Sequence, residues 1–364
     1  MKTFWTSVFA LLCLVRGACA ADGDSNAARH EALQLLMREL GLQPRQIEVI
    51  MRDHPLDKWL PSLIEAHARQ FGKDPERLQT VGDHLARTRL VLVDGTMASP
   101  VYQLALTVER NQLPILRPFQ IDDWQRASPK SAQPGLAGAQ ARLDLAAGDW
   151  RVAYFRANSA EGQTLNASQL ADLERHLVAN KSVIAQDPTW YALMVELAVY
   201  RRAAEAEIKA LVAEGLLAFP ENIQLAVDGA TYYLPKWKGD PSRLGAYAAW
   251  VLSLPGMSNR LDIYPRIYSH ALYRQFRLTL FRAVAKDWDA IRRGIRHMLA
   301  TYPAKSNKNS AALLACLAGD RELTHQILYE PAFELEAELW LDHDAPGLCM
   351  QWARQPMSAE RSKT

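Results

Sequence analysis

Three amphipathic stripes at helical spacing, each running into a proline, constrain the fold of this chain more than any other feature of its sequence. Leu170, Leu173, Leu177 and Ile184 form the first stripe. Ala204, Ile208, Leu211, Val212 and Phe219 form the second, and Trp288, Ile291, Ile295, Met298, Leu299 and Tyr302 the third. Apolar residues recurring three and four positions apart give a helix one face to bury. The stripes close at Asp187-Pro188, Phe219-Pro220 and Tyr302-Pro303, and a new helical pattern follows each. Proline lacks an amide hydrogen and clashes with the preceding turn, so it ends one helix and lets another begin. Pro188 and Pro220 lie 32 residues apart, near the period of helix–turn–helix repeats.

Short turn markers recur between the stripes. Ala147-Gly148-Asp149-Trp150, Ala285-Lys286-Asp287-Trp288 and Ala318-Gly319-Asp320-Arg321 each set an Asp before a new helix. Gly or Lys closes the preceding helix, and the Asp carboxylate caps the free amides of the next. One hairpin cannot bury its apolar face alone, whereas stacked hairpins bury a continuous one. The expected fold class is all-α, with tetratricopeptide-like helical-hairpin repeats forming a short α-solenoid. The imperfect period leaves an irregular helical bundle as the alternative.

The same periodicity extends toward the N-terminus. Leu33, Leu36, Met37 and Leu40 mark one face, with Gly41 as a helix stop. Asp74-Pro75-Glu76 opens a helix that carries Leu78, Val81, Leu85 and Leu92 toward Asp94-Gly95. Residues 89–93 also read as a short strand, the one such segment in the chain. At 364 residues the chain has room for about two domains. The expected organisation is a signal peptide at 1–20, a helical region at 21–115, a repeat domain at 116–330, and a C-terminal helical segment with a polar tail at 331–364.

The first twenty residues read as a secretory signal peptide: Lys2 supplies the basic end, Phe4 to Val15 the apolar run, and Ala18-Cys19-Ala20 the small-residue cleavage site. Cleavage is expected at Ala20-Ala21, with a periplasmic or secreted mature chain. Arg16 is out of place in this pattern. It also stands where an apolar residue would precede an acylated Cys19, which weighs against a lipid anchor. Removal of Lys2 and Arg16 leaves 40 basic against 40 acidic residues. A neutral chain lacks the basic footprint of nucleic-acid binding, and no later apolar run is long enough to insert in a membrane.

Two cysteines, Cys316 and Cys349, fall in the mature chain. An oxidising compartment permits them to pair, and closing that loop would contribute about 3 kcal/mol. Cys316 within Ala-Ala-Leu-Leu-Ala-Cys-Leu-Ala-Gly-Asp also fits a small buried hydrophobe.

The stretch from Trp124 to Tyr329 resembles a bacterial domain-of-unknown-function family built of tetratricopeptide-like helical pairs. Trp124-Gln-Arg-Ala-Ser-Pro129-Lys-Ser131 and Gly148-Asp-Trp150-Arg resemble the family's opening pair. Tyr233-Leu-Pro235-Lys-Trp237-Lys-Gly239 is similar to its most recognisable loop, and Ala315-Cys-Leu-Ala-Gly-Asp320 to its closing motif. The family loop reads Pro-Arg-Trp-Gly-Gly, so Lys236 replaces Arg and Lys238 the first Gly. The resemblance implies a helical partner-binding protein, brings no catalytic residues, and suggests an immunity protein of an interbacterial toxin system. It leaves residues 21–115 without a motif.

A search for chemistry yields little. His30-Glu31 lacks a second His four positions after the first. Asp342-His343-Asp344, with Glu334, Glu336 and Glu338 upstream, is a dense acidic run, but adjacent side chains point apart and rarely complete a metal shell. No metal or cofactor is expected. Gly256-Met-Ser258-Asn-Arg260 begins like a nucleophile elbow and fails at its last position. The chain is therefore read as a non-enzyme.

Aromatic residues concentrate between 232 and 276, and Trp237 sits between Lys236 and Lys238 in a turn. Tyr232, Tyr233, Trp237, Tyr264 and Tyr268 are the binding candidates, because aromatic side chains suit interface cores; Tyr273 and Phe276 add to the same stretch. The expected partner is a protein of the cell envelope, and in the sharper form of the reading a toxin or cell-wall hydrolase that the chain neutralises. A scaffold for envelope assembly, or an enzyme with an unrecognised site, are the alternatives.

Overall fold

A computed structural model of the chain describes residues 23–43, 63–64, 66–67, 70, 74–107, 118–147, 167–237, 239–284 and 287–355. The expected signal peptide, its cleavage point, Cys13, Cys19, the Gly148-Asp149-Trp150 marker, Lys238 and Lys286 lie outside these residues. The described residues are helical and contain no strand beyond one isolated antiparallel bridge, Val91 to Met97. The chain divides into two compact units that interleave in sequence. The first holds residues up to 92, 97–141 and 180–189; the second holds 93–96, 142–179 and 190 onward.

In the first unit, α1 (Gly23–Glu39) and α3 (Ala98–Thr107) both pack on α2 (Pro75–Thr88). The Asp74 carboxylate accepts the Arg77 amide at 3.3 Å, Pro75 occupies the first turn, and Glu76 favours the helix dipole. The helix ends earlier than its apolar pattern suggests. Arg89 adopts a left-handed conformation at φ 50° and turns the chain away at Thr88. Residues 89–93 then contribute only the bridge at Val91 rather than a strand.

Leu33, Leu36, Leu78, Val81, Leu85, Tyr102 and Trp124 fill the core, with Trp124 supplied by α4 (Pro118–Ala127). Residues 116–141, expected with the repeats, belong to this unit as far as they are described: α4 and the first part of α5 (Ala132–Ala147). Asp187, fully buried after the short α7 (Lys181–Ile184), accepts the Ser99 hydroxyl and the Thr189 amide, the latter at 2.8 Å. Burial pushes its carboxyl up, and those bonds oppose the rise.

The second unit contains α6 (Ala167–Ala179), α8 (Thr189–Tyr200, from Trp190 on), α9 (Glu205–Ala218), α10 (Ile223–Gly229), α11 (Leu244–Leu252) and α12 (Ile263–Ala271). It continues through α13 (Leu280–Ala283), α14 (Trp288–Thr301), α15 (Lys305–Ala318), α16 (Arg321–Leu328) and α17 (Ala345–Arg354). Neighbouring helices pack as antecedent and successor: α9 on α10, α11 on α12, α14 on α15, α15 on α16 and α16 on α17. The turn chemistry is local. Asp287 caps α14 through the Ala290 amide at 3.1 Å, and Asp320 caps α16 through the Leu323 amide at 2.9 Å. Helix α12 also packs on α14, and their close approach requires Gly294, where a Cβ would stand 2.4 Å from the Leu261 carbonyl oxygen.

The end of this unit is pinned twice. Cys316 of α15 and Cys349 of α17 form a disulfide. Asn309 donates to the carbonyls of Lys305 and Glu334 at 2.9 Å, while its oxygen accepts the Glu336 amide and the buried Trp340 indole. Two ion pairs within this unit share a fully buried carboxylate: Asp262 receives Arg260 at 3.3 Å and Arg266 at 3.1 Å.

Candidate functional site

Helix α10 ends at Gly229 and runs into two tight turns, Ala230–Tyr233 and Pro235–Trp237, before Asp240 caps the turn Pro241–Arg243. The Asp240 carboxylate accepts the Ser242 amide at 3.0 Å and its hydroxyl at 2.6 Å. The loop folds back tightly enough that Gly239 lies against Tyr232 and Tyr233; a Cβ there would stand 2.1 Å from the Tyr232 carbonyl oxygen. Glycine is required by this contact, because no side chain fits.

One side of the loop is a closed hub around Glu205 of α9. Its carboxylate accepts the Tyr233 hydroxyl at 2.8 Å and meets Lys209 at 3.0 Å and Arg243 at 2.7 Å. Burial acts to raise this carboxyl, but hydrogen bonds from Lys209, Tyr233 and Arg243 outweigh it and hold the group at about 2. Aromatic rings back the hub: Tyr233 packs on Tyr232 and Tyr247 at 5.2 and 4.9 Å, and Lys209 lies over Trp250.

The five aromatic candidates separate here. Tyr233 and Tyr268 are 1% exposed, which corrects their expected place on a binding surface. Tyr233 is bound to Glu205 and wedged among rings, and Tyr268 faces Phe281 at 6.0 Å. Burial, with the Tyr264 and Asp287 charges, pushes the Tyr268 hydroxyl up to about 12. Tyr232, Trp237 and Tyr264 are half-buried and retain surface. Tyr273 is bound to the Leu339 carbonyl at 2.9 Å and serves the C-terminal packing.

The other side of the loop gathers side chains that periodicity does not reveal. Asp228 of α10 accepts the Gln224 amide at 2.9 Å, one helical turn away. Burial raises its carboxyl to about 6; the Gln224 bond opposes this, the Glu196 charge adds to it and Arg274 opposes it. His270 of α12 shares a hydrogen bond of 2.8 Å with the Thr231 hydroxyl. Burial and then the Arg274 charge lower the imidazole to about 3, so it is neutral at ordinary pH. Burial and Arg274 also lower Lys236 to about 8. The Tyr200 hydroxyl donates to Glu196, and the Tyr200 ring lies 5.0 Å from Trp237 at a 31° tilt.

This cluster combines both charges, a neutral imidazole, a hydroxyl and an aromatic pair. Displaced titrations occur both at ligand sites and in structural networks of charges. Its sequence signal is slight: Gln224 and Asp228, and His270 and Arg274, are each spaced one helical turn apart. Among the described residues no group of three His, Cys, Asp or Glu is arranged to hold a metal ion, and no helix is long and apolar enough to cross a membrane. His343 is exposed beside Asp344, in a turn closed by the Asp344 amide on Asp342 at 2.9 Å. No family model, curated protein or solved structure matches the chain.

Proposed function

We propose that this chain is an exported, non-enzymatic protein of tetratricopeptide-like helical repeats that binds a protein partner in the cell envelope. In the sharper form of this reading it is an immunity or inhibitor protein that neutralises an envelope-targeting toxin or hydrolase. The observation that carries the reading is the loop 230–243. Tyr232 and Trp237 keep surface on a segment fixed by Glu205, Gly239 and Asp240. A binding loop fixed before contact loses little entropy on docking, and half-buried aromatic residues supply the anchoring area of interface centres. The signal-like N-terminus and the Cys316–Cys349 disulfide support an oxidising compartment.

The test uses the tagged mature chain from Ala21 as bait in the native periplasm, beside a Trp237→Ala variant. The reading expects one stoichiometric hydrolase or toxin, inhibited by the purified chain and lost by the variant. Several structural envelope proteins, with no enzyme among them, would replace inhibition with a scaffold role. An identical catch by chain and variant would overturn the loop as the binding surface.

A further inference from the structure

The first unit holds a buried histidine that takes no part in the loop or its neighbours, and the inference drawn from it does not rest on the protein-binding reading. His84 of α2 is 5% exposed, and α1 packs on that helix. Its Nδ1 stands 3.4 Å from Nη2 of Arg87, one turn further on, and 4.0 Å from the Glu31 carboxylate of α1. A guanidinium donates and never accepts. The Arg87 contact therefore needs the lone pair on Nδ1 and leaves the ring hydrogen on Nε2. That Nε2 is buried and has no hydrogen-bond partner among the described residues. The imidazole is neutral in this arrangement, and in one tautomer.

An added proton has one place to go. It enters at Nδ1, the atom that accepts from Arg87, and sets one donor against another. The charges facing the ring are mixed in sign. Arg87 on the same helix and Arg38 on α1 oppose a second positive charge, while Glu31 on α1 favours it. Glu31 is 64% exposed, so water weakens its pull. Burial lowers the imidazole from its ordinary value, Glu31 opposes the shift, and Arg87 and Arg38 add to it. Other ties of α1 do not respond to acid in this way: Arg29 donates to the Val91 carbonyl at 3.0 Å, and Arg77 to the Glu39 carbonyl at 3.2 Å.

We propose that His84 makes the seating of α1 on α2 sensitive to acid, holding the helix while the imidazole is neutral and loosening it when Nδ1 takes up a proton. The neutral ring favours the seated helix above pH 6.5, and that advantage is lost as pH falls. Loosening uncovers Leu33 and Leu36 of α1 together with Leu78, Val81 and Leu85 of α2, an apolar surface presented only in acid.

The experiment follows amide hydrogen exchange of residues 23–39 in the mature chain between pH 7.5 and 5, with rates corrected for their intrinsic dependence on pH. Protection of α1 is expected to fall by about threefold or more, while that of α15 in the second unit holds. His84→Asn places an amide oxygen near the position of Nδ1 and takes up no proton there, so its α1 should stay protected at pH 5. His67, a second buried imidazole of this unit, and the Arg77–Glu39 pair are present in both proteins, so the difference belongs to His84. Arg87→Met removes the donor and a like charge from an exposed position. It should move the loosening to higher pH, and it serves as the test if the first variant fails to fold. Nitrogen magnetic resonance of the imidazole should show hydrogen on Nε2 of His84 at pH 7.5. Protection of α1 that does not change with pH overturns the proposal, and so does an equal fall in His84→Asn or a hydrogen found on Nδ1. None of these results affects partner capture through the loop, so the two readings fail separately.

Discussion

Glu205 and Asp228 sit on helices that pack together, and burial acts to raise both carboxyls, yet the first is held at about 2 and the second at about 6. The difference lies in what surrounds them. Glu205 receives a lysine, an arginine and a tyrosine hydroxyl, whereas Asp228 receives one amide and stands near a second carboxylate. A carboxylate enclosed by donors belongs to the scaffold, because every change of its partners costs stability. A half-buried carboxyl that titrates near neutral pH is poised to respond to whatever arrives beside it. The loop 230–243 is braced by the first through Tyr233 and Arg243, and its Thr231 shares a hydrogen bond with His270.

The largest effect expected comes from a place outside both regions and tests whether they are local. Reduction of Cys316–Cys349 should cost about 3 kcal/mol of stability, seen as a lower melting temperature, and leave both titrations in place. A displaced Asp228 titration after reduction would break the comparison. Next in size is Gly239→Ala, which forces a methyl group against the Tyr232 backbone. It should cost about 2 kcal/mol and, because the loop touches both regions, disturb both carboxyls. Chemical denaturation with parallel titration checks this. Tyr233→Phe removes one donor from Glu205 and should cost about 1 kcal/mol. Its Glu205 titration should move upward while that of Asp228 stays.

The smallest effect is the dependence on pH, where the two carboxyls act with opposite sign. Asp228 titrates higher folded than unfolded, so its contribution is most favourable while it is protonated and declines as pH rises from about 4 to about 6. Asp228→Asn should therefore gain stability relative to the parent across that window; a constant difference would show that the site does not titrate as described. Glu205 titrates lower folded than unfolded, so its contribution is present above about 4.5 and is lost as pH falls toward 2. His270 follows the same direction: a neutral imidazole favours the folded chain above 6.5 and loses that advantage as pH falls toward 3.

Much of the helical framework was legible in the residues themselves. Asp74-Pro75-Glu76, Asp287 and Asp320 start helices where a capping carboxylate is expected, and Gly319 ends α15 with φ +79°. These signals are local, needing only a few consecutive residues. The early stop at Arg89 was not legible, because Leu92 continues the apolar period while the left-handed turn at Arg89 carries no glycine to mark it. The site was legible only in part. Adjacent aromatics such as Tyr232 and Tyr233 look alike in sequence, and the one that enters the core bonds a glutamate 28 positions earlier. Glu196, Asp228, Lys236 and His270 come from three helices and a loop, so tertiary packing alone assembles them.

The central claim is that these two carboxyls, near in the fold, do different work. It is tested most directly by following their side-chain carboxyl carbons by nuclear magnetic resonance across a pH titration of the mature chain. The account predicts a midpoint near 6 for Asp228 and near 2 for Glu205. Two midpoints together in the ordinary carboxylate range would contradict it.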